Sequence, residues 1–324
     1  MFDVNTTSLS LRFPYSSATR YLLLILHTVI LTIGILGNGL VVYGSIKHHA
    51  IKMEKISLLF IQNIAITDVC ITIMTYGPAY LTLITQHWVF GGVGCYVIAM
   101  YLVIIACQNE IFVIGAMSVY RLWMLKKTRS QREKIPLVRI KIIMLVLFIM
   151  SCTQSAVIIY APFDFKAEFS PPMLACMSSN FLDSKNSTIL IFTLIDTGCY
   201  VALPMMSTLI ANTGILYIVL HQSKRVGRGV LDNKSTVLTL MLICGTFLAS
   251  YSPFLIKFIL DLSGHDTPNW FITLGTYAPA INVIVNPFFY FFTNNRFKTW
   301  IRGLVGLNNA VVPNTSVGDT ETEQ

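Results

Sequence analysis

The sequence predicts an all-α membrane protein, a seven-transmembrane helix bundle with a short amphipathic eighth helix. Three observations predict it. The 324 residues are 54% hydrophobic and only 12% charged, where a soluble domain carries about 25% charged residues. Seven apolar segments, at about 21–46, 56–84, 95–125, 140–161, 188–220, 236–262 and 269–293, each exceed the ~20 residues a helix needs to span a bilayer. The basic residues also gather on alternate connections, as membrane topology requires.

In chain order, residues 1–20 read as a polar extracellular segment, 21–293 as the bundle, 294–305 as the amphipathic helix and 306–324 as a disordered cytoplasmic tail. The first apolar segment has no charged n-region and no small-residue cleavage site, so it reads as a span and not a signal peptide. In and around the connections after segments one, three and five, and after seven, lie 18 of the 23 Lys and Arg. The positive-inside rule then places the N-terminus outside and the C-terminus inside a plasma membrane. The net charge of +8 is accounted for by that topology, with no nucleic-acid partner implied.

Glycosylation sequons at Asn5 and Asn186 fall on the expected outer side. Five of the seven cysteines lie within apolar segments, leaving Cys95 and Cys176 on the oxidising side. These two are either free thiols or, as expected here, a bridge pinning the loop before segment five over the bundle. His48-His49 reads as solvated surface. No Walker loop, metal-ligand cluster or nucleophile elbow is present, so enzymatic chemistry is not indicated.

Ionisable residues inside spans are functional candidates, because burying them costs several kcal/mol unless they are solvated or paired. Asp68, Glu110 and Asp196 qualify, as do Lys257 and Asp261, one turn apart near the outer end of segment six. The plainer reading of the last two is a mutual ion pair. Asn286-Pro287-Phe288-Phe289-Tyr290 closes segment seven with polar groups around a proline that must bend its helix.

In order, these residues resemble the rhodopsin-like (class A) G-protein-coupled receptors over about 21–303. The resemblance is carried by Gly37-Asn38, Ala65 and Asp68, Cys95, Ser118-Val119-Tyr120-Arg121, Pro204, Phe247 with Tyr251-Ser252-Pro253, and Asn286 to Tyr290. Arg296-Phe297-Lys298-Thr299-Trp300-Ile301 resembles the family's eighth helix, lying on the inner surface among membrane lipids. The resemblance implies an extracellular ligand, a heterotrimeric G protein and arrestin as candidate partners, and an outward swing of helix six. Arg121 would meet the G protein, and Asn286, Pro287 and Tyr290 would form the switch. Asp68, Glu110, Asn282 and Asn286 would form an ion site, for sodium at Asp68 or for a proton shared between the two carboxyls.

Departures from the family pattern are equally specific. Tyr120 stands where an acid normally neighbours the arginine, Leu122 follows it, and the nearest acid at the base of helix six is Asp232. Arg121 is therefore expected to be weakly locked and basal signalling raised. Tyr251 replaces the usual tryptophan, Asn212 the usual helix-five tyrosine, and segment four lacks its tryptophan. Cys95 and Arg121 are 26 positions apart, one more than usual, so a bulge is expected in helix three.

The helix-three position acidic in amine receptors falls at Leu102 or Val103, which disfavours a biogenic amine. Ala280 occupies the retinal-lysine position, so no retinal is expected. Tyr101, Asp196, Tyr251, Lys257, Asp261 and Tyr277 form the candidate ligand-binding set, suited to a peptide or small polar molecule. A lipid ligand or ligand-independent activity is the alternative within the family. Outside it, a seven-span transporter or channel using Asp68, Glu110 and Asp196 is the competing reading.

Overall fold

A computed structural model describes residues 15–47, 51, 54–126, 136–160, 167–170, 174–178, 187–221, 234–263, 265 and 267–306. Asn5, Asn186, Asp232 and the tail lie outside the described residues. Among the described residues, seven helices are long and apolar enough to cross a membrane: Ser17–Lys47, Lys55–Thr85, Gly91–Lys126, Leu137–Ile158, Ser187–Leu220, Val237–Leu262 and Trp270–Thr293. They are helices one to seven; helix eight, Asn295–Leu304, follows directly.

Helices are what a hydrocarbon setting demands, since every backbone N–H and C=O must be satisfied within the segment. The outward faces are apolar and uncovered, with Leu22, Ile25, Ile142, Ile210 and Ile259 each more than half exposed. The inward core runs through Val41, Ile61, Val113, Ile243, Phe247 and Tyr290. Lipid is as apolar as these side chains, so close packing and polar contacts hold the bundle together. A Cβ on Gly37 would sit 2.9 Å from Cγ of Pro287, and one on Gly44 would sit 2.6 Å from the Trp300 ring. Those two glycines let helix one approach helices seven and eight.

Wide π-helical turns interrupt the α-helical winding at Ile33–Gly37, Thr72–Tyr76, Cys95–Val103 and Thr197–Ala202. The third is the bulge expected in helix three: a π turn absorbs the extra residue between Cys95 and Arg121. Those in helices two and five precede Pro78 and Pro204, where the missing N–H breaks the regular ladder. Pro253 lies within helix six, and Pro279 and Pro287 within helix seven.

An antiparallel hairpin, β1 (Ala167–Ser170) and β2 (Ala175–Ser178), sets Phe169 opposite Cys176. Cys176 is joined to Cys95 by a disulfide with Cα atoms 5.3 Å apart. This pins the hairpin to the start of helix three, where Phe169 stacks on Trp88 at 5.5 Å. That end of the bundle is the disulfide end. At the opposite end, Asn294 caps helix eight by accepting from Phe297 N–H at 3.1 Å. Phe297 is buried, and Trp300 packs against it and against Tyr43, while Arg296 and Arg302 stay exposed. The amphipathic pattern read from the sequence is this division.

Candidate functional site

Midway along the bundle, polar side chains from helices two, three, six and seven meet in a fully buried cluster. Asp68 and Glu110 are each 0% exposed, and each is held in the cluster by an asparagine of helix seven. Asn286 Nδ2 donates to Asp68 Oδ2 at 2.9 Å. Asn282, one turn earlier on the same face, donates through Nδ2 to Glu110 Oε1. The Tyr251 hydroxyl donates to Glu110 Oε2 at 2.8 Å, and its ring packs on Phe247 with centroids 4.8 Å apart. Of the two orientations open to Glu110 from sequence, the structure shows the one facing Asp68.

Oδ1 of Asp68, Asn282 and Asn286 are buried with no hydrogen-bond partner among the described residues. Such acceptor oxygens suit a hard cation, and the paired carboxyls suit a shared proton. Among the described residues, no group of three or more His, Cys, Asp or Glu is placed to hold a metal ion. Tyr290 is also buried, its hydroxyl unpartnered among the described residues.

The prolines bracket this cluster, and each leaves a carbonyl without its helical donor. Pro287 frees the carbonyl of Val283, which accepts from Asn38 Nδ2 of helix one at 3.0 Å. Beside Pro204, the carbonyl of Tyr200, within the π turn, accepts from Gln108 Nε2 of helix three. Pro253 frees Ala249, which accepts from Ser252 Oγ at 2.9 Å. Asn38 and Gln108 thus stitch bent helices to their neighbours at the bends. Gln108 has no family motif to flag it, and nothing in the sequence singled it out.

Toward the helix-eight end, Asn212 donates to Ser118 Oγ at 3.2 Å, and Ser118 Oγ lies 3.1 Å from Cys244 Sγ. These contacts draw helices three, five and six together. One turn on, Arg121 donates through Nη2 to the buried Ser57. Glu54, at the start of helix two, places Oε2 3.9 Å from Arg121 Nη1 and accepts the Tyr120 hydroxyl at 2.6 Å on Oε1. Arg121 has no neighbouring acid in sequence, but a carboxylate from the start of helix two faces it. The carboxylate missing beside it in sequence comes from helix two, and Tyr120, in the acid's place, donates to it.

At the disulfide end the candidate ligand residues do not converge as one set. Asp196 is buried and accepts from Gln154 Nε2 on both oxygens, at 3.1 and 3.2 Å. Lys257 and Asp261 are ion-paired, the plainer of their two readings, and Thr267 donates to Asp261 Oδ1 at 2.5 Å. Tyr101 is half-buried, its carbonyl accepting from Ser155 at 3.1 Å. Tyr277 sets its ring edge-on to His27, with centroids 5.6 Å apart. The Tyr277 hydroxyl and His27 Nε2 are buried and unpartnered among the described residues.

This arrangement has known counterparts. Residues 37–290 match the model of the 7 transmembrane receptor (rhodopsin family), and the chain belongs to that family, one of signalling receptors and not of enzymes. It is similar to the alpha-2Db adrenergic receptor of Danio rerio, 28% identical over 155 residues. That match covers 47% of this chain and 36% of that receptor, so the chain spans about a third of that relative's length. It is also similar to the histamine H2 receptor of Canis lupus familiaris, 23% identical across 88% of this chain and 79% of that one. The squid rhodopsin crystal structure shares the fold at a TM-score of 0.71 and 18% identity, covering 90% of this chain and 87% of that one.

Proposed function

We propose that the chain is a plasma-membrane receptor that binds an extracellular ligand at the disulfide end and activates a heterotrimeric G protein at the helix-eight end. The N-terminus is outside and the C-terminus inside, as the distribution of Lys and Arg supports. The observation that carries this reading is the polar node midway between the two ends. There Tyr251, two residues before Pro253, bonds to Glu110 of helix three, and Asn282 of the proline-bent helix seven bonds to the same carboxyl. A ligand that favours one arrangement of this node shifts the population of the whole bundle.

The ligand we favour is a peptide or small polar molecule held by hydrogen bonds. Leu102 and Val103 supply no acid for an amine, Asp196 is engaged by Gln154, and Lys257 by Asp261. The hydroxyls of Tyr101 and Tyr277 and the His27 ring are the polar contacts we assign to it. Asp68, with Oδ1 of Asn282 and Asn286, would hold a sodium ion, and the facing Glu110 a proton in its place. A bound cation would supply the positive charge that lets both carboxyls ionise.

The test is nucleotide exchange by the purified receptor in nanodiscs, across a panel of G proteins, with a peptide and small-molecule library. Exchange driven by a library member and lost in Arg121→Ala supports the reading. Absence of exchange on every G protein, together with ligand-independent ion currents from the same preparation, would establish a channel instead.

A further inference from the structure

Glu54 occupies the residue before helix two, where the helix dipole favours a carboxylate. It makes no capping bond there. Both oxygens are directed at a small cluster instead. Oε1 accepts from Tyr120, and Oε2 faces Arg121 and accepts from Ser57 Oγ at 3.2 Å. Ser57 in turn receives Arg121 Nη2. Two side chains of helix two therefore grip the guanidinium while Tyr120 steadies the carboxylate from helix three. The bundle is shut at this level, with Ser118 and Cys244 in contact and Met117, Leu240 and Ile243 sharing one core.

We infer that Glu54 is the positioning residue for Arg121, a latch from helix two that holds the arginine inward and the helix-eight end closed until the receptor is activated. The inference rests on the reading of Arg121 as the residue that meets the G protein. The pair is only partly covered, the Glu54 side chain being 35% exposed and that of Arg121 15%. A carboxylate–guanidinium pair in such a setting shifts an equilibrium by up to about fivefold, enough to restrain an activation step and weak enough to release. Raised basal activity, expected from the missing neighbour acid, is thus assigned to loss of Glu54 and not to the wild type.

The experiment uses the full chain in nanodiscs without ligand. Spin-labelled side chains replace the exposed Lys126 and Leu238 at the helix-eight ends of helices three and six, and their separation is read alongside basal nucleotide exchange. Glu54→Gln keeps the shape and removes the charge beside Arg121; it is expected to raise the long-distance population severalfold, up to about fivefold. Adding Ser57→Asp returns a carboxylate beside Arg121 Nη2 and is expected to restore the wild-type distribution, which a purely structural role for Glu54 would not allow. A shift in distance without exchange on any G protein leaves the latch standing and removes the coupling reading. A Glu54→Gln distribution superimposable on the wild type overturns the latch, whatever the exchange assay reads.

Discussion

The Tyr251 hydroxyl donates to Glu110 Oε2 at 2.8 Å inside the bundle, where Glu110 is 0% and Tyr251 7% exposed. Helix six is therefore tied to helix three at the level of its own proline. Removing the donor leaves a buried carboxyl oxygen unsatisfied, at a cost of about 1–3 kcal/mol. Tyr251→Phe keeps the ring on Phe247 and deletes only that bond. It is expected to lower the thermal midpoint of the purified receptor and raise ligand-free nucleotide exchange. A midpoint equal to the wild type would show that the bond contributes nothing.

The facing carboxyls make a second prediction. Two buried carboxyls in one cluster cannot both ionise without a cation or a shared proton. Raising sodium is expected to stabilise the wild-type receptor and reduce its basal exchange, more strongly at higher pH, where sodium displaces the proton. Asp68→Asn should abolish the sodium response, and Glu110→Gln should remove its pH dependence while keeping one acceptor oxygen for Asn282 and turning an amide donor to the Tyr251 hydroxyl. Sodium and pH titrations of the thermal midpoint read both. Flat titrations in the wild type, unchanged in Glu110→Ser, would dismiss the ion and proton site.

The carbonyls beside Pro287, Pro204 and Pro253 should rank in their sensitivity. Asn38→Leu and Gln108→Leu remove cross-helix donors, the first stranding a buried carbonyl at a cost of about 1–3 kcal/mol and the second a part-buried one at a smaller cost. Ser252→Ala removes a donor from within the same helix, in a solvent-accessible bond, and should cost less than either. Thermal midpoints of the three variants test the ranking; Ser252→Ala as the most damaging would contradict it.

What the sequence made legible follows from how each signal is encoded. Spans are written in the length of apolar runs, and the helix-three bulge in one surplus residue between Cys95 and Arg121. Asp68, Asn286 and Pro287 were visible because their chemistry is conspicuous at membrane depth, and Cys95 and Cys176 because no other cysteine lies on the expected outer side. Glu54 was not visible as the partner of Arg121. It is an acid at a helix start, where a favourable helix dipole is the ordinary reading, and only the packing of helix two on helix three brings it within reach. Gln108 and Gln154 were hidden for a different reason: a neutral amide in an apolar helix carries no mark of which carbonyl or carboxyl it will meet.

Gln154 decides how Asp196 should be understood. The amide donates to both oxygens of a carboxyl that is 7% exposed, which is enough to account for the acid without a ligand. If the pair is structural, Gln154→Leu leaves Asp196 buried without its donor and destabilises the receptor by about 1–3 kcal/mol, more if the acid stays charged. Asp196→Leu in the same background should recover much of that loss, because replacing both partners by apolar groups is far less costly than orphaning one. A ligand contact behaves otherwise: Asp196→Asn would weaken binding severalfold while the thermal midpoint held. Measuring midpoint and affinity for the three variants separates the roles. The geometry favours the first, with coupling between positions 154 and 196 as its signature and ligand affinity little changed in Asp196→Asn.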